Sequence, residues 1–483
     1  MPESNGNVLD SIDPGSIERI HLVGVGGTGM GAFAGMLKAA HYVVTGSDEN
    51  VYPPMSDMLR EWGIAVFTPY AAANLERARP DLVIIGNVIR RVNPEATAVR
   101  ERGLRQMSFP AAFGSLVLAQ KHSVVVAGTH GKTTTAALMA HVLVSAGRDP
   151  SFLVGGVTRN YDGNYRLGGG EHVVVEGDEY DTAYFDKGPK FLHYRARSAI
   201  LTSIEFDHAD IYRDLPHYES AFERFCETLP DDGFLAVSAT YPRAVAIARR
   251  ARGTVVTYAV NGKADFRADN ESFSADGARF RLHGPGTKNK ELLLPMSGYH
   301  NIENAAGVYA VARSLGVSHA EIATGFATFR GVKRRQEERG EINGVLVIDD
   351  FAHHPTAVRE TIEGIRQRYP ERRLWAVFEP RSNTSRRNIH QAEYVAALTG
   401  ADLVSVREPA PHDMVPPNER LDTGRVISEL NARGVVADAS PDVTELVQRV
   451  AAGARPNDVL LVMSNGAFDG FVAAVLDALA KRA

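Results

Sequence analysis

The chain has 483 residues, 44% of them hydrophobic and 23% charged, the balance of a soluble globular protein with more than one domain. A formal net charge of −5 gives no electrostatic case for a nucleic acid or an acidic membrane as partner. A single cysteine, Cys226, excludes an intrachain disulfide and fits a reducing compartment; with no leader-like start and no uncharged apolar run of roughly 18 residues, a cytoplasmic protein is expected.

From the N-terminus, ERIHLVGVG, MGAFAGMLKAA, YVVTGSD, MSDMLREWG, IAVF and DLVIIGN alternate strand-like runs with helical patterns. That rhythm predicts parallel βαβ units. FPAAFGSLVLAQKH reads as a connecting helix leading into a strand, SVVVAG, then a helix, TTTAALMAHVLVSAG. Further strands follow at HVVVEG, SAILTSI and GFLAVSA, and FERFCETL reads as an amphipathic helix that buries the Cys226 thiol. A β-rich stretch runs from Phe266 to Leu294, and NAAGVYAVARSLG and HAEIATGFATFRG close the region as helices. The charged cluster VKRRQEERGE marks a boundary. Past it a third α/β pattern begins, VLVIDDF, TAVRETIEGIRQRY, LWAVFEP, ADLVSV, VTELVQRVAAG and DVLLVMSNG. The expected fold is therefore α/β in three domains: Rossmann-like over residues 1–115, P-loop ATPase-type over 116–334, and Rossmann-like again over 335–483.

Two glycine loops carry the chemistry. In HLVGVGGTGMG, Gly24, Gly26 and Gly29 satisfy G-x-G-x-x-G between a strand and a helix, where small residues let a backbone approach a diphosphate. Asp48 ends the next strand in TGSD. Taken alone this loop also fits a nicotinamide oxidoreductase. The second loop, VVVAGTHGKTTT, ends in the Gly-Lys-Thr of a phosphate loop, but Gly128 stands two residues too near Gly131 for the usual G-x-x-x-x-G-K-[ST]. Gly128 and Gly131 free backbone N–H groups for phosphate oxygens, Lys132 reaches the outer phosphates, and the Thr133 hydroxyl suits Mg²⁺. A dehydrogenase has no need of that lysine. Downstream, VVVEGDEYD supplies Glu176, Asp178 and Glu179, and AILTSIEFDHADIY supplies Glu205, Asp207, His208 and Asp210. Acids at strand ends also serve as plain loop solvation, but beside a phosphate loop they favour Mg²⁺. His193 in FLHYRAR reads as structural or as a substrate contact. A nucleotide-dependent regulatory module without catalysis stays open on these residues.

Taken together, the motifs resemble those of the Mur ligases, ATP-dependent amide-forming enzymes of bacterial cell-wall synthesis and recycling. The family's short loop, Gly-Thr-x-Gly-Lys-[Ser/Thr]-Thr, is matched by Gly128, Thr129, His130, Gly131, Lys132, Thr133 and Thr134. Its Glu-x-Asp-Glu is matched by Glu176, Asp178 and Glu179, and its metal-binding histidine by His208. Its G-x-H-N-x-x-N appears as Gly298, His300, Asn301 and Asn304. Arg335 matches its arginine before the last domain, and Asp350, Phe351, Ala352 and His353 match its Asp-[Tyr/Phe]-Ala-His. Two positions depart from the pattern: Gly177 stands where alanine is usual, and SRRNIHQ follows FEPRSNT.

The resemblance implies that a lactyl carboxylate attacks the γ-phosphate of ATP to give an acyl phosphate, which an amine then captures. It implies catalytic roles for Lys132, Glu176 and His208, and two Mg²⁺ ions, one on Thr133 and Glu176 and one on His208. ATP would be held by the short loop together with His300, Asn301, Asn304, Arg335 and Asp350. The first glycine loop and VTGSD are similar to the branch that starts from UDP-N-acetylmuramate. Its contacts would be Gly24, Gly26, Gly27, Thr28, Gly29, Met30, Ser47, Asp48 and Asn87. One member of that branch adds free L-alanine; another adds the intact tripeptide L-Ala-γ-D-Glu-meso-diaminopimelate. NVYPPMS, DEYDTAYFDKGPKFLHYR and FEPRSNT are similar to the tripeptide member, with His353, Arg381, Ser382 and Asn383 as peptide contacts.

Overall fold

A computed structural model describes residues 5–53, 55–409 and 415–482; Pro54 of NVYPPMS lies outside the described residues. The chain divides into two compact units. The first is Met1–Ile204, Pro216–Arg267 and Ala306–Gly325, and the second is Glu205–Leu215, Ala268–Ala305 and Phe326–Ala483.

The first unit opens with strands β1 (Arg19–Val23), β2 (Val43–Ser47), β3 (Ala65–Phe67), β4 (Leu82–Ile85) and β5 (Gln106–Ser108). They pair in parallel in the order β3-β2-β1-β4-β5. Leu82, Val83, Ile84 and Ile85 are all fully buried, as expected when helices cover both faces of a parallel sheet. The covering helices are α1 (Thr28–Ala39), α2 (Met55–Glu61), α3 (Ala72–Ala78), α4 (Pro94–Glu101) and α5 (Phe109–Leu116). Because the order reverses at β1, the glycine loop that follows it sits at the topological switch point, where ligands of such sheets bind.

The same unit continues through β6 (His122–Ala127), α6 (Lys132–Ser145), β7 (Ser151–Thr158), β8 (Gly163–Arg166) and β9 (His172–Gly177). A hairpin, β10 (Asp181–Ala183) and β11 (Asp186–Pro189), leads to β12 (Ser198–Leu201). After α7 (Leu215–Glu227) come β13 (Phe234–Ser238), α8 (Pro242–Ala248) and β14 (Thr254–Val260). These strands run β14-β13-β12-β6-β9-β7-β8, parallel except for β8. Here again the phosphate loop follows a strand, β6, whose two neighbours belong to opposite halves of the order. Cys226 on α7 is fully buried and its thiol is pushed up to about 12 by that burial and by Glu227 and Glu223, so it is packing and not a nucleophile.

Two contacts tie α1 to the edge of this sheet. Tyr165 on β8 lies so close over Gly35 that a Cβ there would come within 2.6 Å of its ring. Asn164 donates to the Thr28 carbonyl at 3.3 Å.

In the second unit the predicted β-rich stretch is β15 (Phe266–Ser274), β16 (Gly277–Gly284) and β17 (Thr287–Leu294), neighbours in that order. Helix α9 (Tyr299–Ser314) follows, passing into the first unit at Ala306, and α10 (His319–Ala327) belongs to that first unit up to Gly325. The last sheet is built from β18 (Glu337–Ile342), β19 (Val345–Asp350), β20 (Arg373–Phe378), β21 (Leu403–Arg407), β22 (Val436–Ser440) and β23 (Asp458–Met463). Its order is β18-β19-β23-β20-β21-β22, with only the edge strand β18 antiparallel. Helices α11 (Pro355–Arg368), α12 (Gln391–Leu398), α13 (Thr423–Ala432), α14 (Val443–Gly453) and α15 (Phe471–Ala480) complete it. Side chains alternate across this sheet as period-2 geometry requires. Leu346, Ile348, Val459 and Leu461 join one core with α11, α12 and α13, while Val345, Val347, Leu460 and Val462 join another with α14 and α15.

Candidate active site

The phosphate loop is built by β6, β9 and β12 lying side by side, which brings Ala127, Gly177 and Leu201 level at their ends. Gly128 has φ +134°, and a Cβ there would overlap Thr202 and Ser203, so the loop closes only with glycine. Ser203 then braces the turn: its carbonyl accepts from Thr129 N at 3.0 Å, and its hydroxyl accepts from His130 N at 2.9 Å. Gly131, φ +76°, starts α6.

Lys132, the first residue of α6, turns back over this loop. Its ammonium donates to the Gly128 carbonyl at 2.6 Å and to both oxygens of the fully buried Glu179, at 3.1 and 2.9 Å. Tyr218 donates to Glu179 at 3.0 Å and shares a hydrogen bond of 3.0 Å with Thr129. Burial opposes the charge on Lys132, but Glu179, Asp178 and Glu176 outweigh it and raise its pKa above the ordinary lysine value. Asp178 is in turn paired with Lys190 at 2.6 Å; despite burial, Lys190 and Lys132 hold it below the usual carboxylate range.

Thr133 donates to Glu176 Oε1 at 2.9 Å, and Glu176 Oε2 accepts from Gly155 N at 2.7 Å. A hydroxyl and a carboxylate side by side, with acids and no thiol around them, form a hard oxygen donor set that fits Mg²⁺. His193 pairs with Asp186 at 2.9 Å, and Asp186 also accepts from Ser108 at 3.0 Å, so its role is structural.

At the first glycine loop, Gly27, Thr28 and Gly29 are exposed and Met30 is buried beneath them. Asp48 accepts from Gly26 N and from Glu49 N, both at 2.8 Å. The acid at the end of β2 therefore clamps the loop itself. Asn87 is exposed on the loop after β4. Ser47 points inward, donating to Glu95 Oε2 at 2.6 Å. Glu95 is completely buried, and also meets His21 at 3.1 Å, Asn74 at 2.7 Å and Ala71 N at 3.1 Å. No sequence pattern pointed to that hub, because an acid in the first turn of a helix ordinarily faces water.

The remaining predicted residues fall in the second unit. His208 has φ +56°, and its N–H donates to Asp207 at 2.7 Å. Asp207 is buried, yet His208, His353 and His354 together hold its carboxyl well below the usual range. On α9, His300 packs over Gly298, and burial with Arg359 pushes its pKa down to about 4, leaving the ring neutral. Asn301 is buried and donates to the Ser297 carbonyl at 2.7 Å, with Asn304 buried one turn on. Arg335 lies 4.5 Å above the Phe351 ring. Asp350 accepts from Gln336 N and Ala352 N, both at 2.8 Å, which fixes the turn into His353 and His354. His354 caps α11 by accepting from Thr356 N at 3.3 Å, and Pro355 is its first residue. His353 meets the Phe351 carbonyl at 3.0 Å.

Arg381 leans on Gly466, with Glu379 at 4.0 Å. Ser382 stays within its own turn by bonding Ser385, and Asn383 donates to Asp210 at 3.2 Å. Lys132, Thr133 and Glu176 are thus brought together in the first unit, and His208, His353 and Asp207 in the second.

A lysine-bearing phosphate loop on one parallel sheet, and a clamped glycine loop at the switch point of another, define a nucleotide-binding protein of the α/β class. Three family models match the chain in order: "Mur ligase family, catalytic domain" over residues 19–121, "Mur ligase middle domain" over 126–312 and "Mur ligase, glutamate ligase domain" over 334–466. A UDP-N-acetylmuramate–L-alanyl-γ-D-glutamyl-meso-2,6-diaminoheptandioate ligase of Escherichia coli is 38% identical, over 96% of this chain and 99% of its own. A UDP-N-acetylmuramate–L-alanine ligase of Renibacterium salmoninarum is 36% identical, over 98% of each chain. Among solved structures, a murein peptide ligase from Psychrobacter arcticus matches with TM-score 0.70 and 34% identity, over 95% of this chain and 98% of its own. A UDP-N-acetylmuramate–alanine ligase from Thermotoga maritima matches with TM-score 0.78 and 28% identity, over 96% of this chain and all of its own. The chain belongs to the Mur ligase family, with that family's N-terminal, central ATPase-type and C-terminal α/β domains.

Proposed function

We propose that this chain is a murein peptide ligase, joining the lactyl carboxylate of UDP-N-acetylmuramate to the amine of L-Ala-γ-D-Glu-meso-diaminopimelate at the expense of ATP. The reaction rests on one observation above all, the Lys132–Glu179 and Thr133–Glu176 pairs at the mouth of the phosphate loop. The choice of peptide over alanine rests on the 38% identity to the Escherichia coli relative and on the FEPRSNT loop. The higher TM-score of the alanine ligase weighs less, because a whole-chain score also falls when hinged domains differ in angle.

In this reading residues 1–115 hold the UDP-sugar, 116–334 hold ATP, and 335–483 hold the peptide. Gly24, Gly26, Gly27, Thr28, Gly29, Met30, Ser47, Asp48 and Asn87 serve the first substrate. Gly128 to Thr134 cradle the phosphates, with His300, Asn301, Asn304, Arg335 and Asp350 on the nucleotide. Thr133 and Glu176 would hold one Mg²⁺ and His208 a second; bound there, Mg²⁺ neutralises phosphate charge. Lys132 supplies a fixed cation where phosphoryl-transfer charge develops, without reorganisation. His353, Arg381, Ser382 and Asn383 receive the peptide. The substrates and the single cysteine fit a cytoplasmic location, and no helix among the described residues is long and apolar enough to cross a membrane.

The test is an ADP-release assay with UDP-N-acetylmuramate, ATP and Mg²⁺, comparing the tripeptide with L-alanine. Turnover with the tripeptide, and a product of the summed mass, is expected. Turnover with alanine alone would overturn the assignment.

A further inference from the structure

The SRRNIHQ segment, which departs from the family pattern, carries Arg386 and Arg387, and Arg386 shares the neighbourhood of Glu379 with Arg381 and Arg407. Arg407 is paired with Glu379 and Asp469, both at 2.5 Å, and Arg387 is paired with Glu419. The Nε of Arg386 is buried with no hydrogen-bond partner. It lines a cavity of about 260 Å³ together with Glu408, Arg420, Asp422 and Thr423. Burial, with Arg381 and Arg407 close by and Glu379 only partly offsetting them, holds its pKa below the ordinary arginine value.

The lining carries both signs. Arg420 spends its Nε on the Val415 carbonyl at 3.0 Å, and Asp422 uses one oxygen to cap α13. Asp422 and Glu408 line the same cavity as Arg386 and Arg420. A bare anion would meet these carboxylates unfavourably; a carboxylate carrying its own ammonium satisfies both. Arg381 and Arg386 also stand on one turn, closed by the Arg386 N–H to the Ser382 carbonyl at 3.1 Å.

We infer that Arg386 and this cavity receive the distal amino-acid end of the peptide, the free ammonium and carboxylate of its diaminopimelate residue. The inference rests on the tripeptide reading above. Alanine has no group that reaches such a subsite, and a lysine in third place keeps the ammonium but lacks the carboxylate.

The experiment is steady-state kinetics on the full chain with UDP-N-acetylmuramate, ATP and three amines: the diaminopimelate tripeptide, the same peptide ending in L-lysine, and L-alanine. The wild-type protein is expected to favour diaminopimelate over lysine by about tenfold or more in kcat/KM. Arg386→Met should bring that ratio to about one by raising KM for the diaminopimelate peptide, and Arg386→Lys should restore part of it. Unchanged KM values for ATP and UDP-N-acetylmuramate report that the variants are folded. The subsite is overturned if the wild type uses both peptides equally, if the ratio survives in Arg386→Met, or if that variant loses both peptides alike. Turnover of alanine with neither peptide used would instead overturn the tripeptide reading, and the subsite with it.

Discussion

The Lys132 ammonium lies 3.1 and 2.9 Å from the two oxygens of Glu179, a partner 47 residues along the chain. A buried carboxylate thus orients the cation that the phosphates of a nucleotide require. Lys132→Ala is expected to lower amide formation by about 10²–10³-fold. UDP-sugar binding, followed by calorimetry, should persist, since the first glycine loop, proposed above as its site, is clamped separately by Asp48. Loss of both together would contradict separate sites.

Glu176 is divided between Thr133 and Gly155 N, so Glu176→Gln keeps the shape while removing the charge. Its activity should need at least about tenfold more Mg²⁺ for half-saturation, read from a metal titration at fixed ATP. An unchanged titration would remove Glu176 from the metal site.

A side chain at position 466 would overlap Arg381, whose flexible stem can swing away. Gly466→Ala is therefore expected to leave the melting temperature nearly unchanged while KM for the peptide rises severalfold and KM for ATP does not. A drop in stability with intact peptide KM would show that Gly466 serves the fold alone.

Glu95 holds Ser47, His21, Asn74 and Ala71 N at once, next to the Asp48 that clamps the first glycine loop. Glu95→Gln loses an acceptor in a buried network and should cost about 1–3 kcal/mol. Thermal unfolding should register it, and KM for the UDP-sugar should rise where KM for ATP stays put.

Stability should also fall in mild acid. Burial pushes both His122 and His141 down to about 4, and His172 and Arg197 add to the effect on His122. An unfolded histidine titrates near pH 6.5, so the unfolded chain binds more protons between about pH 6.5 and 4. The contribution is complete above that window and is lost as pH falls through it. Melting temperatures should decline from pH 7 to 5, less steeply in His122→Gln; a flat profile would contradict the assignment.

The glycine loops were legible because their backbone demands are local: Gly24, Gly128 and Gly131 all adopt positive φ. The strands leading into them were legible as continuous apolar runs. Strands β7, β8, β10 and β11 were missed because they are short, glycine-bearing or polar. Helices α12, α13 and α15 fell between the patterns that were read. Sequence could nominate Glu179, but not its pairing with Lys132, which depends on β6 and β9 lying in register. No motif marked Glu95, and only the packing of α3 and α4 beside β1 and β2 buries it. Arg386 showed itself only as a departure from a familiar loop.

The near-contact of Tyr165 with Gly35 makes position 35 a gauge of length. Helix α1, which begins at the first glycine loop, and the edge strand β8 meet there through the Tyr165 ring. Any carbon added at that point would have to displace the ring. The seating of α1 against β8 is therefore written partly in a residue with no side chain at all.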